Sequence, residues 1–517
     1  MHPSHADPRT LDDLAVLTER LDVVRSRIGG ANTEDEKAQL GQFLTPGPVA
    51  GLMASMLVMP QDDIRLLDPG AGAGALFAAA VRAACDRATP PRTITVTAYE
   101  LDDRVLPELQ ATMSACEQAC RRVGITFVGE VVEGDFLAAA EKEMLTLPFG
   151  RPPRRFNTAI LNPPYRKINV GSAERQTLRR MGVETSNLYS GFLAATLLLL
   201  DDDAEVVAIT PRSFCNGPYF RPFRQLLLER TALRRIHSFT RRDKAFHDEK
   251  VLQENIIFHA VRGGDGEAAV RITTSSGAST TPETDRTVPA AEVVRPDDPE
   301  AFIHIPTADA AAVIEGQPST LASLGLTVST GRVVDFRALD VLRADPCAGA
   351  VPLLYPTHLQ GGSVTWPKAG KKPNAILVNE SSRSLLVPNE TFVLVKRFTA
   401  KEERRRVVAS VHVGGSLPGD ALGIENHVNY FHQRGRGLDL HLARGLAAYL
   451  NSTGLDDYFR QFNGHTQVNA TDLRNIRYPA DTSLRRIGKR MEGSPHEQGQ
   501  IDAIVAEETT DGKLVGH

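Results

Sequence analysis

Residues 64–85 read "IRLLDPGAGAGALFAAAVRAAC": an apolar, strand-like lead-in, a turn carrying Gly70, Gly72 and Gly74, and an alanine-rich stretch of strong helix formers. A strand that passes through glycines straight into a helix is half of a βαβ unit, and the pattern recurs. "TITVTAYELD" is a second β-branched strand and ends in acid, "GITFVGEVVEGDFL" holds a third, and "NTAILNPPY" a fourth. "AEVVAITPRSF" and "ENIIFHAV" supply later ones. Strands that alternate with helical stretches imply an α/β fold, a doubly wound and largely parallel sheet with helices on both faces. Such sheets take ligands at the carboxyl ends of their strands.

At 517 residues the chain is long enough for at least two cores. The pattern divides it into an N-terminal helical segment, 1–40, with Leu11, Leu14, Leu17, Leu21 and Val24 at helical spacing, and the α/β domain, 41–262. A polar linker or peripheral hairpin, 263–304, leads to a mixed α+β domain, 305–480, and a charged, flexible tail, 481–517. The longest apolar run, "FLAATLLLL", stops at Asp201, too short to span a bilayer. "MHPSHADPRT" shows no basic-then-apolar leader, so a cytoplasmic protein without a membrane partner is expected. Cys85, Cys116, Cys120, Cys215 and Cys347 are too sparse for a disulfide framework, and Cys116 with Cys120 reads as packed thiols. His427 and His432 do not share a helix face, and no metal site is expected. The net charge of −4 excludes a globally basic nucleic-acid coat, so a nucleic-acid partner must meet a local basic surface. "KRFTAKEERRR" (396–406), "RRDK" (241–244) and "RNIRYP" are candidates, although each alone also reads as a solvated charged face.

The strand ends carry acids in order. Asp68 precedes the glycines, which suits an ammonium or hydroxyl donor better than a pyrophosphate. Glu100 closes the second strand, where it can grip ribose hydroxyls, and Gly134-Asp135-Phe136 closes the third with an acid and a ring. Any one of these acids alone reads as a helix cap or turn former. Together they describe a pocket for an adenosine bearing a charged amino-acid tail, which is S-adenosylmethionine.

The fourth strand runs into Asn162-Pro163-Pro164-Tyr165. An exocyclic amine on a base is a poor nucleophile because its lone pair is delocalised into the ring. An amide oxygen and a nearby backbone carbonyl that accept its two hydrogens localise that pair without a strong base. Pro163 and Pro164 fix φ and offer no competing N–H, and Tyr165 offers a face on which an extruded base can stack.

"QFLTP", "DPGAGAG", "YELD", "GDF" and "NPPY" stand in the order seen in the gamma-class N6-adenine DNA methyltransferases, which this chain resembles. "NLYSGFLAATLLLL", "VVAITPRSF" and "AFHDEKVLQENIIF" are similar to later segments of that class, and "FNGHTQVNATDLRNIRYP" resembles the end of the second domain in PstI/BsuBI-type modification methylases. The resemblance covers residues 41–479. It implies a class I S-adenosylmethionine-dependent methyltransferase fold with a C-terminal target-recognition domain, and adenine N6 methylation in duplex DNA as part of a type II restriction–modification system. A monomer with a separately encoded cognate endonuclease is the expected arrangement, and CTGCAG the first target to test. Carried over by position, Thr45 and Pro46 contact the methionine moiety. Asp68, Gly70 and Gly72 line its tail, although Gly70 stands where another small residue is common. Glu100 meets the ribose, and Asp135 with Phe136 the adenine. Asn162 and Pro163 polarise the target amine and Tyr165 stacks on the flipped base. Phe246 aligns with the ring that closes its other face, while an ordinary core aromatic remains open for it. Arg397, Arg404, Arg405, Arg406, His465, Thr466 and Gln467 are candidate DNA contacts.

A methyltransferase acting on RNA or on a protein glutamine faces the same electronic problem and uses the same tetrapeptide. Such enzymes resemble this chain less, because they usually lack the QFLTP segment and the long C-terminal domain. A non-catalytic binding module is disfavoured by the intact Asp68, Asn162 and Tyr165, and no acid–acid–lysine nuclease cluster is apparent.

Overall fold

The computed structural model describes residues 45–60, 62–145, 154–239, 255–276, 281–306, 310–399, 403–462, 467–493 and 497–510. The segment 1–40, Phe246, His465 and Thr466 lie outside them. The chain forms two compact units, Met1–Thr307 and Ala308–His517.

Among the described residues of the first unit, nine strands form one sheet in the order β3-β2-β1-β4-β5-β7-β6-β8-β9. The first five are β1 (Asp63–Pro69), β2 (Thr93–Glu100), β3 (Thr126–Glu133), β4 (Phe156–Leu161) and β5 (Leu200–Pro211), all parallel. β6 (Thr231–Phe239) and β7 (Asn255–Arg262) enter as a reversed pair, with β7 antiparallel to both β5 and β6. β8 (Val270–Ser275) and β9 (Thr284–Val288) extend the edge as an antiparallel hairpin. Of the two readings for the polar stretch after Val261, linker or peripheral hairpin, residues 270–288 form the hairpin, with Val270, Ile272 and Val288 buried.

Alternate side chains of the central strands bury opposite faces. Leu66, Ile160, Val207 and Ile209 face α1 (Gly47–Met56), α2 (Ala75–Cys85) and α3 (Leu106–Arg122). Leu67, Leu161, Val206 and Ala208 face α4 (Phe136–Met144), α5 (Ala173–Arg180), α6 (Leu188–Leu199) and α7 (Arg221–Arg230). The apolar run 192–200 is thus a core helix that ends at a strand, buried on nearly every side. No helix among the described residues is long and apolar enough to cross a membrane.

The second unit holds, among its described residues, a six-stranded and a five-stranded sheet. The six-stranded sheet is centred on Val428–His432, Phe392–Lys396 and Ala409–His412, all antiparallel neighbours. Helices Leu440–Leu450, Thr453–Phe462, Asp481–Arg490 and Gln498–Thr510 pack beside it. The stretch from Asp481 was expected to be a flexible tail, and among its described residues Asp481–Arg490 and Gln498–Thr510 are helices instead. Leu484 and Ile487 are fully buried one turn apart, and Gly488 meets Gly445 where the two helices cross. A Cβ on either glycine would stand 1.8 Å from a carbonyl oxygen of the opposing helix, so only glycine permits that approach.

Candidate functional site

The strand order turns outward in both directions from the β1–β4 boundary, the topological switch point where doubly wound sheets open a crevice at their carboxyl edge. Asp68 is the last residue but one of β1, and Asn162 directly follows β4. They share the parity of Leu66 and Ile160, so both face α1–α3. The register pairs Leu66 with Thr158, and its continuation sets Asn162 two positions beyond Asp68 along the strand direction.

The glycine turn is held from below. The Gly70 and Ala71 N–H groups donate to Tyr99 O, both at 2.9 Å, and Gly70, Gly72 and Gly74 have φ of 87°, 55° and 90°. Side chains rarely adopt that left-handed region, which accounts for the glycines. Glu100 faces the same turn: Oε2 accepts from Gly72 N at 2.7 Å, and Oε1 accepts from Leu101 N and Asp102 N at 2.8 Å. Asp68 differs. It is fully buried, Oδ2 accepts one long bond from Phe77 N at 3.3 Å, and Oδ1 has no hydrogen-bond partner among the described residues. Burial, with a smaller contribution from the Glu100 charge, pushes its carboxyl up to about 8. A buried carboxylate without a counter-charge is costly, and an ammonium group presented to Oδ1 would supply the missing partner. The residues fit the α-amino end of S-adenosylmethionine.

Asn162 is half-buried and held at both ends of its amide. Nδ2 donates to Thr45 Oγ1 at 3.0 Å, and Oδ1 accepts from the Tyr165 hydroxyl at 2.8 Å. That hydroxyl also lies 3.1 Å from Ile209 O at the end of β5. The Tyr165 ring stands edge-on to Tyr189, with centroids 6.1 Å apart, and Tyr189 leans on Phe220 at 5.5 Å. Tyr189, at the start of α6, contributes to this aromatic wall although sequence reasoning gave it no role. Its only signal was its place in "NLYSGF".

Thr45, Asp68, Gly70, Gly72, Glu100, Asn162 and Tyr165 thus gather along one sheet edge, with Pro46 capping α1. Pro163 is buried and Pro164 half-buried. Asp135 has the capping geometry that its spacing alone suggested: its side chain accepts from Leu137 N at 2.9 Å at the start of α4, and the residue is exposed. Phe136 is buried between Tyr99 and Phe192, at 5.3 Å from each ring.

The proposed DNA contacts of the second unit fare unevenly. Arg404 is exposed. Arg397 is half-buried; it donates to Asn426 O at 3.1 Å and lies over the Phe398 ring at 5.7 Å. Gln467 is half-buried and forms a backbone bridge with Phe398. Arg405 donates to Asn451 O and, at 3.3 Å, to Thr453 Oγ1, and burial lowers its guanidinium pKa. Arg406 is a correction. At 1% exposure it is a core side chain that donates to Thr399 O and, at 2.9 Å, to Thr399 Oγ1, so it cannot reach a phosphate. Its backbone N–H donates to Asp456 at 2.6 Å, which fixes the strand approach to the helix Thr453–Phe462.

A glycine turn beside a buried carboxylate with one oxygen unpartnered among the described residues, on a sheet with a reversed strand β7, defines a class I S-adenosylmethionine-dependent methyltransferase. Comparison with known proteins narrows this. Residues 29–181 match the N-6 DNA Methylase family and residues 135–246 the Eco57I restriction-modification methylase family. The chain is 41% identical over 490 residues to the type II methyltransferase M.PstI of Providencia stuartii, covering 94% of this chain and 96% of that one. It is 40% identical over 491 residues to the type II methyltransferase M.BsuBI of Bacillus subtilis, covering 94% and 97%. The chain belongs to this family of adenine-N6 DNA methyltransferases, whose methyl donor is S-adenosylmethionine.

Proposed function

We propose that this protein is the modification component of a type II restriction–modification system, methylating N6 of an adenine extruded from one specific duplex sequence. The observation that carries this reading is the placement of Asn162 beside Asp68 on one face of the sheet edge, which sets an amide next to a site suited to a charged amino group. Bound S-adenosylmethionine supplies an electrophilic methyl group on a sulfonium. Asp68 holds its ammonium end, Gly70 and Gly72 let the backbone approach, and Glu100 shapes the turn and faces the ribose. Asp135 and Phe136 border the adenine.

Asn162 Oδ1 and the Pro163 carbonyl accept the two hydrogens of the target amine and aim its lone pair at the methyl. As the N–C bond forms the S–C bond breaks to leave a neutral thioether, and the cationic amine then gives up one hydrogen as a proton to water. When the base enters, an amine hydrogen replaces the Tyr165 hydroxyl at Oδ1, and the Tyr165 ring takes the base on its face, worth roughly 1–3 kcal/mol. The second unit, with Arg397, Arg404 and Gln467 as candidates, reads the target sequence. The protein acts as a monomer in the cytoplasm, beside a separately encoded endonuclease.

Tritiated methyl transfer to duplex DNA, RNA and whole-cell protein tests the substrate class. Label in duplex DNA alone, recovered as 6-methyladenine, is the expected result; label in RNA or in glutamine would replace this reading.

A further inference from the structure

Asn162 can polarise an amine only if its oxygen, and not its NH2, faces the reacting centre. The two ends of an amide have the same shape, so packing cannot choose between them and a hydrogen bond must. Tyr165 cannot serve as the lasting anchor, because the proposed role of its ring requires its hydroxyl to give up Oδ1 when the base enters. Thr45 remains. Its hydroxyl accepts from Asn162 Nδ2 at 3.0 Å across 117 positions of sequence, and the residue is 8% exposed.

Thr45 is itself held. Only Pro46 separates it from α1, whose Ala50 N donates to Pro46 O at 2.9 Å. The far end of α1 is tied to the sheet: the Val58 N–H, at 2.9 Å, and the Met59 N–H donate to the buried Glu205 of β5. Met59 adopts φ 55° to make that turn, and His259 Nε2 lies 2.9 Å from the same carboxylate. Arg235 Nη1 adds a bond to Ser55 O at 3.2 Å. Helix α1 is therefore fastened at its C-terminal end to β5 and β6, and its N-terminal end presents one hydroxyl to the catalytic amide.

We propose that Thr45 is a positioning residue for the methyl-transfer step, its hydroxyl locking the Asn162 amide with Oδ1 towards the target amine. This rests on the catalytic role of Asn162 proposed above. It departs from the sequence-based assignment of Thr45 to the cofactor's methionine moiety, and the two assignments differ in what a variant changes. A cofactor contact governs affinity. An orienting contact governs the rate with cofactor saturating, and a small misplacement of the reacting groups can cost on the order of 100-fold.

The test uses the full chain with duplex DNA and S-adenosylmethionine. Single-turnover rate constants at saturating cofactor, and cofactor dissociation constants by calorimetry, are measured for wild type, Thr45→Val, Thr45→Ser and Asn162→Ala. Valine keeps the shape and removes the hydroxyl, serine keeps the hydroxyl, and calorimetric binding certifies that each variant is folded. The expected result is a rate at least 10-fold lower for Thr45→Val, restored to within about 3-fold by Thr45→Ser, with affinity changed less than 3-fold. A Thr45→Val enzyme that keeps its rate overturns the proposal, whether or not affinity falls, and so does a rate loss that serine fails to restore. Asn162→Ala separates the two readings. If it methylates at the wild-type rate, the catalytic role of Asn162 fails; if it is inactive while Thr45→Val is not, only the Thr45 proposal fails.

Discussion

The carboxyl edge of β1 and β4 and the arginine run of residues 404–406 were equally conspicuous in the sequence, yet the fold treats them differently. At the edge, the residues singled out by type converge. Asp68 is buried with one oxygen unpartnered, and Asn162 is bonded to Thr45 and Tyr165. In the arginine run, three adjacent residues of one type take three roles: Arg404 is exposed, Arg405 is partly tied to backbone, and Arg406 is core. A side chain at a strand end is placed by the backbone geometry of that strand, so its chemistry can be read from its position. A charge in an irregular segment is placed by its packing partners, here Thr399 seven positions away and Asn451 and Asp456 about 50 positions away.

Substitutions sharpen that contrast. The largest effect is expected for Asn162→Ala, which should slow methyl transfer roughly 100- to 1,000-fold, as when one preorganised hydrogen-bonding group is removed. Calorimetry should still give cofactor binding close to wild type; a parallel loss of affinity would place Asn162 in the cofactor pocket instead.

Asp68→Asn should act in the opposite sense. It should weaken S-adenosylmethionine binding roughly 10- to 100-fold, the scale of one hydrogen bond to a charged group, while leaving the rate at saturation near wild type. The same substitution should change how stability depends on pH. With a folded-state pKa of about 8 against 3.8 in the unfolded chain, the native protein retains a proton that the unfolded chain has released. Its contribution to stability is fully present below about pH 4 and is lost as pH rises through 8. Melting curves of wild type should therefore fall over that window more steeply than those of Asp68→Asn. Cofactor binding near pH 7 should release a proton in wild type alone, read from calorimetry in buffers of different ionisation enthalpy.

The arginine run gives smaller numbers. Arg406→Ala should lower stability by about 2 kcal/mol, because Thr399 O loses its buried donor, and leave the salt dependence of DNA binding unchanged. Arg404→Ala should leave stability within about 0.5 kcal/mol of wild type and reduce the salt slope by about 1 if it meets a phosphate. An unchanged slope removes it from the interface.

The α/β alternation, the glycine turn and the ordered acids of the strand ends were all legible, because strand periodicity and turn chemistry are local properties of the chain. The bond between Thr45 and Asn162 was not, since it depends on how α1 is fastened to β5 through Glu205, 146 positions after Met59. Asp135 shows the limit of residue type as a guide: the same acid that suits an adenine amino group also caps α4. The helix Asp481–Arg490 was hidden for a different reason. Its apolar face is carried by only Leu484 and Ile487 among charged neighbours, and it packs through a glycine crossing that no local pattern announces.

The most direct test asks which adenine nitrogen accepts the methyl group at Asn162. Duplex DNA labelled with 15N at adenine N6 is methylated by this protein from S-adenosylmethionine carrying a 13C methyl, and the product is quenched within the first turnover for NMR. A one-bond carbon–nitrogen coupling in the earliest product is expected, with no ring-methylated species before it. A methyl found first on a ring nitrogen, reaching N6 only on ageing, would contradict attack by an amine polarised at Asn162.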